Sequence, residues 1–119
     1  MSDYVQVFNT ESRVEVLLHA GDDRMIALGQ KMEAANPEAY MNGYNWEAFF
    51  NYYLGKYSPD ILEGMGTDPE ADMYVALWPL SPENEARAAK FVEIIRGLVE
   101  NESELIRIVQ EEGGEIQWD

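Results

Sequence analysis

Six consecutive residues, Met73-Tyr74-Val75-Ala76-Leu77-Trp78, carry neither a charge nor an amide. Side chains in a strand point alternately to opposite faces. A strand that meets water on one face alternates apolar and polar residues, whereas one enclosed in a sheet reads as a continuous apolar run. This segment therefore predicts a central strand covered on both faces. Thr67-Asp68-Pro69-Glu70 before it has the composition of a turn, and Pro79 stops it.

Two more strands precede it. Residues 4–8 (Tyr-Val-Gln-Val-Phe) and 13–19 (Arg-Val-Glu-Val-Leu-Leu-His) alternate with period two, and Asn9-Thr10-Glu11-Ser12 between them is turn-like. This predicts a hairpin. In its second strand Val14, Val16 and Leu18 face one way; Arg13, Glu15, Leu17 and His19 face the other.

Helices fill the rest. Gly21-Asp22-Asp23 offers a cap, and Met25, Leu28, Met32 and Ala35 follow at helical spacing until Asn36-Pro37. Asn45 is the expected cap of a second helix, with Trp46 and Glu47 as its first residues. Phe49, Phe50, Tyr53, Leu54 and Tyr57 line its aromatic face. Tyr52 and Tyr53 are neighbours and cannot both point fully inward, so some aromatic surface is expected to stay exposed. Pro59 closes this helix, and one short turn can follow to Glu63. Ser81-Pro82-Glu83 starts a third helix with a Ser cap, Pro at its first position and acid at its positive end. Its stripe is Ala88, Phe91, Val92, Ile95, Leu98 and Val99. Asn101-Glu102-Ser103-Glu104 resembles a capping box and opens a fourth helix, ended by Gly113-Gly114. Glu115-Ile116-Gln117-Trp118 suits a last strand. The expected order is β-β-α-α-β-α-α-β: an α+β fold, with a mostly antiparallel sheet of about four strands and helices packed on it. Residues 1–119 contain no repeat or linker, so a single domain is expected.

Catalytic equipment is sparse. The chain has no Cys, which removes disulfides, thiolate nucleophiles and Cys-based metal sites. His19 is the only His and ends a strand with no nucleophile elbow near it; a structural role is expected. Asp68, Glu70 and Asp72 alternate like the start of a calcium loop, but Met73 and Pro79 occupy the places of the required Gly and Glu. Gly64-Met65-Gly66 is too short for a phosphate loop and no Lys follows it. No catalytic residue, metal site or cofactor is expected. No apolar run approaches the roughly 18 residues that span a bilayer. Met1-Ser2-Asp3-Tyr4 has no basic region followed by an apolar stretch, so the expected compartment is the cytoplasm.

Charge is the outlying property. Asp and Glu number 23 against 8 Lys and Arg, for a formal net charge of −15. Such a chain repels nucleic acids and anionic membranes and attracts cationic partners. Solubility alone also explains acidity. The acids are densest after Val99: Glu100, Glu102, Glu104, Glu111, Glu112, Glu115 and Asp119, with Arg107 as the one base. Uncompensated acids repel one another, a cost that a basic partner relieves. Glu100, Glu104, Glu111, Glu112, Glu115, Trp118 and Asp119 are accordingly the candidate partner-binding residues.

Three blocks carry a resemblance: Asn42-Gly43-Tyr44-Asn45-Trp46-Glu47-Ala48, then Ser58-Pro59-Asp60-Ile61, then Asp68-Pro69-Glu70-Ala71-Asp72-Met73-Tyr74. In this order and spacing the chain resembles the immunity protein 51 family of bacterial polymorphic toxin systems. In that family the first block opens a helix, the second ends it and the third turns into a strand. Asp72 stands where the family often has Gly, and Ser58 where Ala is usual. The resemblance implies a protein that binds and neutralises a cognate toxin. Asn42, Gly43, Tyr44, Asn45, Trp46, Pro59, Asp68 and Pro69 read as a signature of the fold, not as contacts to the toxin. A nuclease toxin with a basic cleft would suit an acidic inhibitor. Two other readings stay open: an acidic adaptor or regulatory domain unrelated to toxins, and a small carboxylate enzyme, which the missing His and Cys equipment disfavours. The sequence leaves the oligomeric state unknown.

Overall fold

The computed structural model describes residues 3–119, so Met1 and Ser2 of the segment read for a leader lie outside the described residues. Strands β1 (Val5–Asn9) and β2 (Arg13–His19) form the expected hairpin. Helices α1 (Asp23–Ala35) and α2 (Gly43–Tyr57) follow, then a 3-10 turn over Pro59–Leu62. Next come the two-residue strand β3 (Gly66–Thr67) and β4 (Met73–Pro79). Helices α3 (Pro82–Glu100) and α4 (Glu102–Glu111) and a 3-10 turn over Gly113–Glu115 complete the chain. The four strands make one antiparallel sheet in the order β1-β2-β4-β3, an α+β arrangement.

Strand β4 is central, as its apolar run predicts, but only one of its faces is sealed. Tyr74, Ala76 and Trp78 are fully buried and pair with Leu18, Val16 and Val14 of β2. Phe91 of α3 meets the rings of Tyr74, Trp78 and Phe50, and the Trp78 indole N–H donates to the Ile61 carbonyl at 3.0 Å. The opposite parity, Met73, Val75 and Leu77, stays partly exposed. The expectation of cover on both faces thus fails for the outward one.

Three other expectations are corrected. Helix α2 begins three residues earlier than read: Asn42 is its cap, and its side chain accepts from the Asn45 N–H at 2.9 Å. Asn101 makes no side-chain cap for α4; its side-chain oxygen accepts from the Ser103 hydroxyl instead. The fourth strand is Gly66–Thr67, not residues 115–118, which follow the final 3-10 turn with Ile116 buried. Ser81 caps α3 as expected, accepting from the Asn84 N–H at 3.1 Å with Pro82 in the first turn.

The early start of α2 has a steric cause. A Cβ on Gly43 would lie 1.8 Å from the Glu70 carbonyl oxygen and 2.0 Å from that of Met73. The Gly43 N–H donates to the Ala71 carbonyl at 3.1 Å, so the helix start lies directly on the turn before β4. That turn is closed by the Asp68 N–H on the Val75 carbonyl (2.9 Å) and the Glu70 N–H on the Met73 carbonyl (2.7 Å), with Pro69 between them. Asp72 does not need a left-handed backbone, since no described residue except glycine has positive φ. Gly43→Ala is expected to cost more than about 2 kcal/mol in urea unfolding, because both obstacles are backbone. Gly97→Ala, exposed in α3 with nothing within 4 Å of the new methyl, should instead stabilise by about 0.5–1 kcal/mol.

Candidate binding surface

Helix α2 organises the acidic end of the molecule. One side of it is core: Trp46, Phe49, Phe50 and Leu54 are buried, with Trp46 stacked on Phe50 at 5.5 Å. The other side carries Tyr44, Ala48 and Tyr52, four residues apart, with Glu47 and Asn51 beside them. The C-terminal tail runs past this second side. Asn45 holds it there. Its amide nitrogen donates to the Tyr40 carbonyl at 2.8 Å, and its oxygen accepts from the Asp119 N–H at 2.7 Å. Gly113 sits so close to the Asn36 amide that a Cβ would lie 2.3 Å from its nitrogen. The Trp118 indole N–H donates back to the Gly113 carbonyl at 3.0 Å.

Between α2 and the tail lies a cleft of about 310 Å³, lined among others by Tyr44, Glu47, Asn51, Tyr52, Glu115 and Asp119. Tyr44 is 41% exposed at its edge. Glu47 accepts from the Thr67 hydroxyl, and the Tyr52 hydroxyl lies 3.4 Å from Glu115. Three carboxylates and two phenol rings thus share one concavity, and the chain's own Lys56 ammonium lies 5.6 Å from the centre of the Tyr52 ring.

The fold separates the candidate acids into different roles. Glu115 and Asp119 line the cleft. Glu112 does not face outward. Its side chain is 11% exposed and accepts from the Tyr52 hydroxyl at 2.5 Å, Lys56 Nζ at 2.9 Å and the Tyr57 hydroxyl at 3.1 Å. The Tyr52 hydrogen bond, then those from Lys56 and Tyr57, pull its pKa down to about 2, while partial burial opposes them. The same contacts hold the Lys56 ammonium well above its ordinary value. Arg107 gathers Glu104, and reaches Glu111 and Glu112 at 3.6 Å each; the Glu104 carboxyl is lowered by that hydrogen bonding. Glu102 pairs with Lys31 of α1 at 2.7 Å. Glu100 lies apart from the cleft, 3.4 Å from the Tyr4 hydroxyl. Trp118 is half-buried against the core and serves to anchor the tail. Of the expected cluster, then, only Glu115 and Asp119 meet in one concavity, and Glu112 is an internal tie between α2 and α4.

The signature residues lie where the two motif blocks touch. Asn42 caps, Gly43 makes the close approach, Asn45 holds the tail and Trp46 is buried; Tyr44 alone of this block is exposed. Pro59 starts the 3-10 turn after α2. His19 Nε2 lies 3.0 Å from the Gln6 side-chain oxygen across the hairpin. Among the described residues, no group of three or more His, Asp or Glu side chains is placed to hold a metal ion. No helix of the described residues is long and apolar enough to cross a membrane.

An α+β chain with this arrangement has been described by family: the model of immunity protein 51 matches residues 5–113. The chain belongs to the immunity protein 51 family. It is thereby an immunity protein of toxin systems, in a family that is generally non-enzymatic, with a toxin as its implied partner. No curated protein and no solved structure matches it.

Glu112 gives a pH-dependent prediction. Its pKa is lower folded (about 2) than in an unfolded chain (about 4.3), so its contribution is complete above about pH 5 and fades as pH falls towards 2. Glu112→Gln should cost about 1–2 kcal/mol at pH 7. Urea unfolding at successive pH values should show the gap to the parent chain closing between pH 5 and 2.

Proposed function

We propose that this chain neutralises a cognate bacterial toxin by seating its acidic surface on the toxin's basic active-site cleft, in the cytoplasm of the cell that makes both. The observation that carries this reading is the acid-and-tyrosine cleft beside α2, on a chain of net charge −15. A nuclease is the target class that suits it, since an enzyme that grips phosphates needs Lys and Arg in its cleft. Long-range attraction speeds encounter, by 10- to 1,000-fold in steered systems. A basic side chain then enters the cleft between Tyr44 and Tyr52 and meets Glu47, Glu115 and Asp119. The protein need do no chemistry; occupying the site suffices. The repulsion that stops the free chain from binding nucleic acid is the same property that favours the toxin.

The test uses the polypeptide encoded by the toxin gene adjacent to this chain's own. The chain should abolish that polypeptide's activity at equimolar ratio. Stopped-flow association should slow at least about tenfold between 50 and 500 mM salt. Glu115→Gln combined with Asp119→Asn should lower the association rate about two- to fivefold while dissociation changes less. An association rate indifferent to salt would sink the electrostatic mechanism, and an unaffected toxin would sink the function.

A further inference from the structure

The uncovered face of the sheet is apolar where an open face should be polar. Met73, Val75 and Leu77 occupy every outward position of β4 between its start and Pro79. Leu17 of β2 pairs with Val75. Phe8 of β1, opposite Glu15, is 46% exposed. Met73, Val75, Leu77 and Leu17 form an apolar patch on two strands, with Phe8 on the far side of Glu15 from Leu77, and none of the five belongs to the buried core or packs against it. The helices lie on the other face, where Phe50 and Phe91 meet Tyr74 and Trp78. Antiparallel sheets with one solvated face normally alternate apolar-in and polar-out. Here the outward positions of the central strand break that alternation, and no element of the described residues covers them.

We propose that the outward face of the sheet, centred on Leu17 and Val75, is the surface on which the toxin's body docks. This deepens the toxin-neutralising reading and rests on it. Charge decides the occupant. A second copy of this chain would bring −15 against −15, which opposes pairing. A basic protein is drawn to the same face. The patch ends at an open depression of about 510 Å³ lined by Asp3, Gln6, His19, Asp22 and Asp72, where Asp3 is paired with Arg96 at 2.9 Å and Asp22 caps α1. Met73 lies at that end, paired with His19. The fitting partner therefore presents an apolar contact to the patch and Lys or Arg side chains to its acidic end. An apolar centre with a polar rim is the usual layout of an interface core. The acidic charge of the chain steers the encounter, and the sheet face holds.

Leu17→Thr combined with Val75→Thr tests this, because Thr keeps strand preference while removing apolar surface. Binding to the adjacent gene's polypeptide should weaken at least about thirtyfold, mainly through faster dissociation. Phe8→Glu, on the exposed edge strand away from the core, should weaken it at least about tenfold and guards against a misfolded double variant. Thermal unfolding by circular dichroism checks that each variant is folded. Folded variants that bind as tightly as the parent, while the parent still neutralises the toxin, overturn the docking face and leave the function standing. A parent chain that does not bind the toxin overturns both. A parent chain that sediments as a dimer, with the same variants monomeric, assigns the face to a second copy and overturns the proposal.

Discussion

The first turn of α2 rests on bare backbone. Gly43 lies against the carbonyls of Glu70 and Met73, and no side chain fits between them. This contact fixes the depth of α2 on the sheet, and most of the molecule follows from that depth. Trp46 and Phe50 reach the core beside Tyr74 and Phe91. Asn45, two residues along, faces the tail and takes the Asp119 N–H. Two turns further, Tyr52, Lys56 and Tyr57 converge on Glu112. One helix thus ties the turn before β4, the core, the tail and α4 together. Its remaining side becomes a wall of the acidic cleft.

Electrostatic compensation is organised around the same helix. The acids after Val99 have one base among them in sequence, yet in space they draw on Lys56 of α2 and Lys31 of α1. Arg107 serves three carboxylates at once. Exposed pairs of this kind contribute little to stability individually. Their effect on the surface is larger, because they mute the negative potential over α4. Glu115 and Asp119 take no part in these ion pairs, and Lys56 stands nearby, donating to the Tyr52 hydroxyl at 3.1 Å. A dense run of acid in sequence is thus divided in space by its tertiary neighbours.

Local pattern carried most of the fold. The hairpin, the Ser81-Pro82 helix start and the centrality of β4 are legible because period-two alternation, capping chemistry and apolar runs act over a few residues. What failed depends on distance. Asn42 and Asn45 are both good caps; the choice between them is made by the turn at residues 70–73, where only Gly43 fits. Glu115-Ile116-Gln117-Trp118 alternates like a strand, but Gly113 against Asn36 and Asn45 against Asp119 commit the tail elsewhere. Gly66–Thr67 is too short to show any period. Of the acids that the sequence leaves uncompensated, Glu115 and Asp119 are the two that line the cleft. Tyr44 reads in sequence only as part of the fold signature and Tyr52 only as exposed aromatic surface, while the spacing of three and four residues that puts them with Glu47 and Asn51 on one side of α2 shows only once the other side is known to be core. The internal role of Glu112 is not legible in sequence because its partners Tyr52, Lys56 and Tyr57 lie 55 to 60 residues away.

The one sequence signal that the fold leaves unused is the apolar outward parity of β4. Continuous apolar runs normally mean that a strand is covered twice by its own chain. Here the helices supply one cover, and no element of the described residues supplies the second. Leaving Met73, Val75, Leu77 and Leu17 facing water stabilises nothing, and exposed apolar strands invite aggregation. Two properties offset that hazard: the outward side chains are themselves partly buried, and a charge of −15 opposes the close approach of copies. On the proposed docking, acidity and the apolar face would act together: charge opposes the pairing of two copies and favours a basic partner, and burial against that partner would supply the hydrophobic term that charge pairs in water cannot.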